Sequence, residues 1–519
     1  MPEEFKLKNH IRDRERNKLP VSPFENIALS LSGGGYRATS FHLGALSYLS
    51  SKKWNNICLL ERTRILSTVS AGTFVGAKYV TTIKKGGTIK DCYHSVYNFM
   101  NDCDLVTEAL SHLSKDENWI EGGKQRSLIN SFAAIYHQKF ESEVFDLLWN
   151  KKEIHLKEIC FNATEFNFAL PFCFYKTENI NKKHENIGNR KIYIPIDIAK
   201  EIRFSDIIAA SSCFPFGFEP INFPDDFVYP ESQKLKDFSR LPSHSIDGDK
   251  IEYPIGLMDG SVYDNQGIDA VVASERRMRQ YEAEQNKHCS IDHKAVDLYI
   301  VSDVSSPTVD NYIRSTNHHI PYIGRWNFGS LKVFGFCSAL IGILSILYAV
   351  YINTKIGIIG FSIIGTLGLL IALVLLVFSE GIAGLTKRFG VSEYELNRIL
   401  HFDRLKFGTL YNLFVNRSRS GMKLVSDIFI RQMKWFSFER LYSDSAWKSR
   451  IMMNAARKLT EPEVNKRKKK HHYLNEELLY PGKEIISAAQ KANTKITTLW
   501  FTDKELAGSK NMLDTLIAS

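Results

Sequence analysis

Leu31-Ser-Gly-Gly-Gly-Tyr-Arg-Ala-Thr39, LSGGGYRAT, is the stretch on which the fold of this chain turns. It follows the apolar run Ile27-Ala28-Leu29-Ser30 and precedes Phe41 to Leu49, which reads as a helix. Three consecutive glycines at a strand-to-helix junction raise the entropy lost on ordering, so the backbone is held in that shape for a purpose. Glycines allow unusual φ values and close approach, and N–H groups at a helix start converge readily on negative charge. By itself the stretch suits a bound phosphate, a tight turn or an oxyanion. The lysine of the nucleotide-binding pattern GxxxxGK[ST] is missing, and GxGxxG does not fit.

Further along, Ile65-Leu-Ser-Thr-Val-Ser-Ala-Gly-Thr-Phe-Val-Gly76 carries an apolar strand into Ser70 and then into a small-residue, helix-like segment. This is the layout of a nucleophile elbow, where a sharp strand-to-helix turn exposes a serine hydroxyl at a helix N-terminus. Only half of GxSxG is present: Thr68 stands at the first glycine position, while Ala71 and Gly72 keep the far side small. Ser-Ala-Gly at a helix start also reads as an ordinary N-cap. A third stretch, Gly256-Leu-Met-Asp-Gly-Ser-Val-Tyr-Asp-Asn-Gln-Gly267, brings an apolar run up to Asp259 and Gly260. Asp-Gly is a common turn, so this stretch too is ambiguous alone. Their combination is not: a glycine-rich turn, a serine elbow and a distant Asp-Gly turn supply an oxyanion hole, a nucleophile and a base.

In these motifs the chain resembles the patatin-like phospholipases, lipid acyl hydrolases with a Ser-Asp dyad. The resemblance rests on SGGGYRA (Ser32–Ala38), STVSAGT (Ser67–Thr73), AASSCFPFGFEP (Ala209–Pro220) and DGSVYDNQG (Asp259–Gly267). It covers roughly residues 25 to 305 and is closest to the bacterial branch, whose elbow is often S-x-V-S-G-G-S. Ser261 stands where the usual D-G-G has its second glycine. The resemblance implies a three-layer α/β fold with a central, mostly parallel sheet. It implies Ser70 as nucleophile, Asp259 as base and Gly33, Gly34 and Gly35 as oxyanion hole, with Ala71 and Gly72 supporting the elbow and Gly260 turning the chain after the base. Arg37 is expected to meet an anion or a lipid phosphate, or else to fix the loop by a salt bridge. A Ser-His-Asp triad has little support, since His42 lies about a turn into the helix and His244, His288 and His293 sit in polar segments without a motif. No metal or cofactor is implied.

The chain has 519 residues, enough for two or three units, and a formal charge of +10 over a mixed background of 67 basic and 57 acidic residues. That excess suits an acidic membrane surface and does not single out nucleic acid, which is not expected as a partner. Eight cysteines without a CxxC pair read as reduced, mostly buried thiols. The charged tail 1–24 has no apolar signal core, so the chain is expected to begin in the cytosol.

Between Val333 and Phe378 two apolar runs, about 333–352 and 356–378, flank Asn353-Thr-Lys355. At helical rise, runs of this length span a hydrocarbon core of about 30 Å and predict a transmembrane hairpin within 329–380. Arg325, Lys332, Lys387 and Arg388 flank it against one Lys355 in the turn, which predicts a multi-pass protein with both long flanks in the cytoplasm. Residues 25–328 are then the catalytic domain and 381–519 a helical region with a late strand, Thr494 to Phe501, returning to that domain. Further candidate strands are Asn26–Ser32, Arg64–Val69, Glu158–Ala163, Arg190–Pro195 and Ala295–Ser302. The run Lys466-Arg-Lys-Lys-Lys-His-His472 reads as a solvated loop or a patch facing acidic headgroups. The expected function is a membrane-anchored hydrolase of glycerophospholipid acyl esters. A lysophospholipase, a neutral-lipid esterase or a catalytically silent binding protein of the same fold are the alternatives.

Overall fold

The computed structural model describes residues 24–119, 124–177, 187–239, 254–285, 296–304, 322–352, 359–367 and 406–443, with a few short pieces between. The chain divides into two compact units, Met1–Thr308 with Val425–Ser519, and Val309–Leu424.

The first unit is built on nine strands: β1 (Ile27–Leu31), β2 (Thr63–Val69), β3 (Glu158–Glu165), β4 (Leu170–Thr177), β5 (Ile187–Gly188), β6 (Tyr193–Ile194), β7 (Ile221–Phe223), β8 (Ile255–Asp259) and β9 (Leu298–Ser302). Their order is β9-β1-β2-β3-β4-β5-β6, with β8 pairing both β3 and β7. The central strands β9, β1, β2 and β3 are parallel. Antiparallel strands β4 and β8 extend the sheet from β3.

Side-chain alternation along β1 explains the layers. Ile27, Leu29 and Leu31 pack into the large core, while Ala28 faces a second cluster with Ile65, Ile268 and Val271. Such a strand is buried on both faces, hence its unbroken apolar reading. Helices α1 (Gly35–Ser51) and α2 (Ala71–Lys85) cover the first face with Leu43, Leu46, Leu49, Phe74 and Val75. Three further helices, α3 (Ile89–Asp102), α4 (Leu105–Ser114) and α5 (Leu128–Lys139), form a helical lobe after α2. It is tied to α2 by the stacked rings of Phe74 and Phe140, 3.8 Å apart. Short helices α6 (Phe204–Ser211) and α7 (Ser261–Asp264) flank the end of β8, and α8 (Ile268–Gln285) covers the second face. The result is the expected three-layer α/β arrangement.

Four candidate strands are present with shifted ends, but Arg190–Pro195 is split, contributing only β6 beside a separate β5. Strands β4, β7 and β8 were not expected as sheet members. The late strand 494–501, the basic run 466–472 and the N-terminal tail lie outside the described residues. The seven described cysteines are free.

In the second unit, α9 (Phe328–Ile352) and helical residues 359–367 form an apolar pair. A Cβ on Gly342 would lie 2.8 Å from the Gly365 carbonyl oxygen, so the two backbones touch there through glycine alone. Tyr348 and Phe361 meet edge-on at 5.0 Å. Val333, Phe336, Leu340, Leu347, Ile359 and Ile363 are exposed. Among the described residues, however, no helix is long and apolar enough to cross a membrane. Two full spans are therefore not established, and the expectation is corrected to an exposed apolar helical pair. Of the helical region expected over 381–519, the described residues form α10 (Phe407–Lys423), a π-helical turn Leu424–Phe429 and α11 (Ile430–Ser443). In the first unit α11 lies on the second face of the sheet, with Leu441 buried and Arg440 paired to Asp269 at 2.9 Å.

Candidate active site

Three chain segments meet where β1, β2 and β8 end. Strand β2 runs out at Val69, and Ser70 follows with φ 53° and ψ −123° as the N-cap of α2. A non-glycine residue is rarely found there, so the surroundings must hold it. They do so through the backbone: the Ser70 carbonyl accepts the N–H groups of Thr73 (2.8 Å) and Phe74 (3.2 Å), and its own N–H donates to Ser211 Oγ at 2.9 Å. Ser211, fully buried at the end of α6, donates in turn to the Asn162 carbonyl at 2.6 Å. A hydroxyl has one proton, so Thr73 must be the donor in its 2.7 Å bond to Ser211, and Thr68 the donor in its 2.9 Å bond to Thr73. Thr68, at odds with GxSxG in the sequence, thus begins a hydroxyl chain that ends under the elbow.

Small residues admit the other segments. A Cβ on Gly72 would lie 2.3 Å from the Leu31 carbonyl oxygen, so only glycine lets α2 start against the end of β1. Ala71 is buried beside it. Gly33 sits over Ser70: an added Cβ would be 2.5 Å from Asn265 Oδ1 and 3.1 Å from Ser70 Cβ. Its N–H donates to the Asn265 carbonyl at 3.0 Å. Gly33 is therefore corrected from oxyanion donor to close-packed spacer, because its N–H is already bound. Gly34 (φ 146°) and Gly35 (φ 62°) hold conformations open to glycine and form the N-cap and first residue of α1. Their N–H groups belong to those a helix start leaves without an acceptor in the helix.

Asp259 ends β8. Its N–H donates to the Cys213 carbonyl at 3.0 Å and its carbonyl accepts the Thr164 hydroxyl at 2.9 Å. Its carboxylate Oδ1 takes both the N–H (2.8 Å) and the hydroxyl (2.6 Å) of Ser261. Burial pushes the Asp259 pKa up to about 6, against the opposing effect of the hydrogen bonds from Ser261 and of the nearby Ser70 hydroxyl. Gly260 is required, since a Cβ there would lie 2.5 Å from the Asn162 carbonyl oxygen. The loop that follows is pinned beneath the site. Ser67 Oγ donates to the Gly267 carbonyl at 2.8 Å, and Ser30 Oγ donates to the Gln266 carbonyl.

His42 is near but serves the scaffold. It is fully buried, with Nε2 2.7 Å from the Ser32 carbonyl and Nδ1 2.9 Å from Ser302 Oγ. A carbonyl only accepts, so Nε2 carries the proton and Nδ1 receives the Ser302 hydroxyl. Desolvation lowers the His42 pKa to about 4 and keeps it neutral, joining the ends of β1 and β9. His244, His288 and His293 lie outside the described residues.

Arg37, in the first turn of α1, is partly buried, and its Nε finds no hydrogen-bond partner. Among the described residues it makes no ion pair, so the loop-fixing salt bridge considered for it is not observed. A cavity of about 450 Å³ lined by Glu61, Arg62, Arg64, Lys152 and His155 lies at the opposite end of β2 and shares no residue with this site. No group of three or more His, Cys, Asp and Glu able to hold a metal exists among the described residues.

Ser70, Asp259 and the glycine loop thus lie together at the ends of β1, β2 and β8. Missed from the sequence were Ser211, Asn162 and Asn265, which buttress from behind. Ser211 lies inside AASSCFPFGFEP, a stretch recognisable as a motif without revealing what its serine does. Residues 29–272 match the family model for the patatin-like phospholipases, a range holding every residue of the site. No curated protein matches the chain.

Proposed function

We propose that this chain, whose residues 29–272 match the patatin-like phospholipases, is a lipid acyl hydrolase that cleaves acyl esters of glycerophospholipids by a Ser70–Asp259 dyad. The observation that carries the reading is the strained, buttressed elbow of Ser70 beside the buried carboxylate of Asp259. Ser70 Oγ attacks the ester carbonyl while its proton passes to Asp259. The N–H groups of Gly34 and Gly35 receive the developing oxyanion at the positive end of α1. Collapse returns the proton from Asp259 to the departing lysolipid oxygen and leaves an acyl-serine. Water then attacks with Asp259 again as base, releasing fatty acid. An ordinary aspartate, of pKa about 3.9, is a poor base for this step, and the burial of Asp259 brings it closer to the working range.

The unpaired Arg37 favours a phosphate-bearing lipid over a neutral one. Phe216 supports approach to a lipid surface. It is 58% exposed at φ 67°, in the loop whose Cys213 carbonyl holds the Asp259 N–H. We place the protein at a membrane, with the apolar pair of α9 and 359–367 as its anchor and the hydrolase on the cytoplasmic side. The test is fatty-acid release from vesicles of defined phospholipid, compared with diacyl- and triacylglycerol emulsions. Ser70→Ala and Asp259→Asn are expected to abolish release, while His42→Gln retains most of it. Full activity in Asp259→Asn would exclude the dyad. Flotation of the protein with liposomes, lost in Leu340→Asp/Ile363→Asp, tests the anchor.

A further inference from the structure

We propose that Ser261 is a positioning residue for the reaction: it ties down Oδ1 of Asp259 with two donors and so reserves Oδ2 for the proton of Ser70. The inference rests on the dyad reading above and adds to it a residue that the family pattern does not supply. Where D-G-G would place glycine, only an N–H reaches the carboxylate. Here the N–H (2.8 Å) and the hydroxyl (2.6 Å) of Ser261 reach the same oxygen.

The main chain of Asp259 is already held on both sides by Cys213 and Thr164, so the freedom left to the carboxylate is rotation of its own side chain. Two donors converging on one oxygen remove that rotation. Ser261 is 5% exposed and Asp259 2%, which leaves no room for bulk water to replace the hydroxyl if it is deleted. The hydroxyl keeps its proton through the cycle. Only the Ser70 proton moves, to Oδ2 as the Oγ–acyl bond forms and then to the departing alcohol. Because a donor to a carboxylate favours the charged form, Ser261 also opposes the burial that raises Asp259 and keeps the base ionised at lower pH.

The experiment is the pH dependence of kcat and KM for a soluble short-chain ester, measured for the full chain, Ser261→Ala, Ser261→Gly, Ser261→Thr and Asp259→Asn. In the unaltered protein the acid limb of kcat/KM should fall near pH 6, the range to which burial brings Asp259. Losing one hydrogen bond to the charged form moves that limb up by about one pH unit. Both Ser261→Ala and Ser261→Gly should therefore lose activity about fivefold at pH 6 and little at pH 8. KM should be unchanged, and Ser261→Thr, which restores the hydroxyl, should restore the limb. A substitution that merely loosened the fold would lower activity at every pH. If Ser261→Ala and Ser261→Gly keep the original limb while Asp259→Asn is inactive, the role of Ser261 is refuted and the dyad stands. If Asp259→Asn stays active, the dyad falls and this inference with it. Ser261→Gly, smaller than serine, serves where Ser261→Ala fails to fold.

Discussion

Replacing Gly72 by alanine tests whether the glycines of this site are spacing devices. The added Cβ would stand 2.3 Å from the Leu31 carbonyl oxygen, 2.8 Å from its carbon and 2.9 Å from the Ser32 carbonyl oxygen. Ordinary contact begins at 3.4 Å, so the end of β1 or the start of α2 must yield by about 1 Å. Neither can turn a side chain aside, because the atoms met are main chain. Leu31 and Ser32 lead directly into Gly34 and Gly35, so the shift is delivered to the oxyanion donors relative to Ser70. A 1 Å misplacement of a catalytic group costs on the order of a hundredfold in rate. Overpacking of this kind also costs about 1–3 kcal/mol of stability. The assay is kcat/KM on a soluble short-chain ester, with the rate of Ser70 labelling by a fluorophosphonate as a second measure of the same geometry. Gly217→Ala is the control, since its Cβ would meet only the Phe214 carbonyl oxygen at 3.5 Å and activity should stay within about twofold. Gly72→Ala within threefold of the unaltered protein would refute the reasoning.

Asp259→Asn, though inactive, should be the more stable protein at neutral pH. The folded pKa of Asp259 is raised from 3.8 to about 6, so between those values the folded state holds the extra proton and stability falls as pH rises. The gain in the variant should be absent below pH 4, grow through pH 4–6 and level off above at roughly 1–3 kcal/mol, read as the thermal midpoint against pH. Phe216→Ser should lower release from vesicles several-fold and leave soluble-ester hydrolysis unchanged; equal loss on both substrates would remove the loop from lipid contact. Arg277→Met strands fully buried Glu158 without the guanidinium it meets at 2.8 Å, and should cost about 3–5 kcal/mol in urea unfolding at pH 7.

Much of the fold could be read from patterns that are local in the chain. The apolar runs at β1, β2 and β3 are legible because a strand buried on both faces has no polar alternation. Strand β4, LPFCFYKT, is harder to read, because Pro171 near its start argues against a strand in a linear reading. The hairpin shows the converse. Its apolar length is plain in the sequence, yet among the described residues no helix is long and apolar enough to cross a membrane.

Ser70, Asp259 and the glycine loop were legible because their chemistry demands particular residue types at strand ends, and those types leave a mark in any linear reading. The part each glycine plays was not. Gly33 and Gly34 are adjacent in LSGGGYRAT, yet one N–H is bound by the carbonyl of Asn265, 232 positions away, and the other is left at the helix start. Ser211 and Ser261 are equally silent in sequence, because a serine becomes a buttress or a positioning group only when folding buries it against a particular partner. Sequence by itself determined the strand and helix periodicities, the reactive residue types and their order along the chain. Tertiary structure alone decided which N–H groups stay unbound, which carboxylate loses its water and which hydroxyl reaches it, since hydrogen bonding and desolvation depend on distances between segments that are remote in sequence.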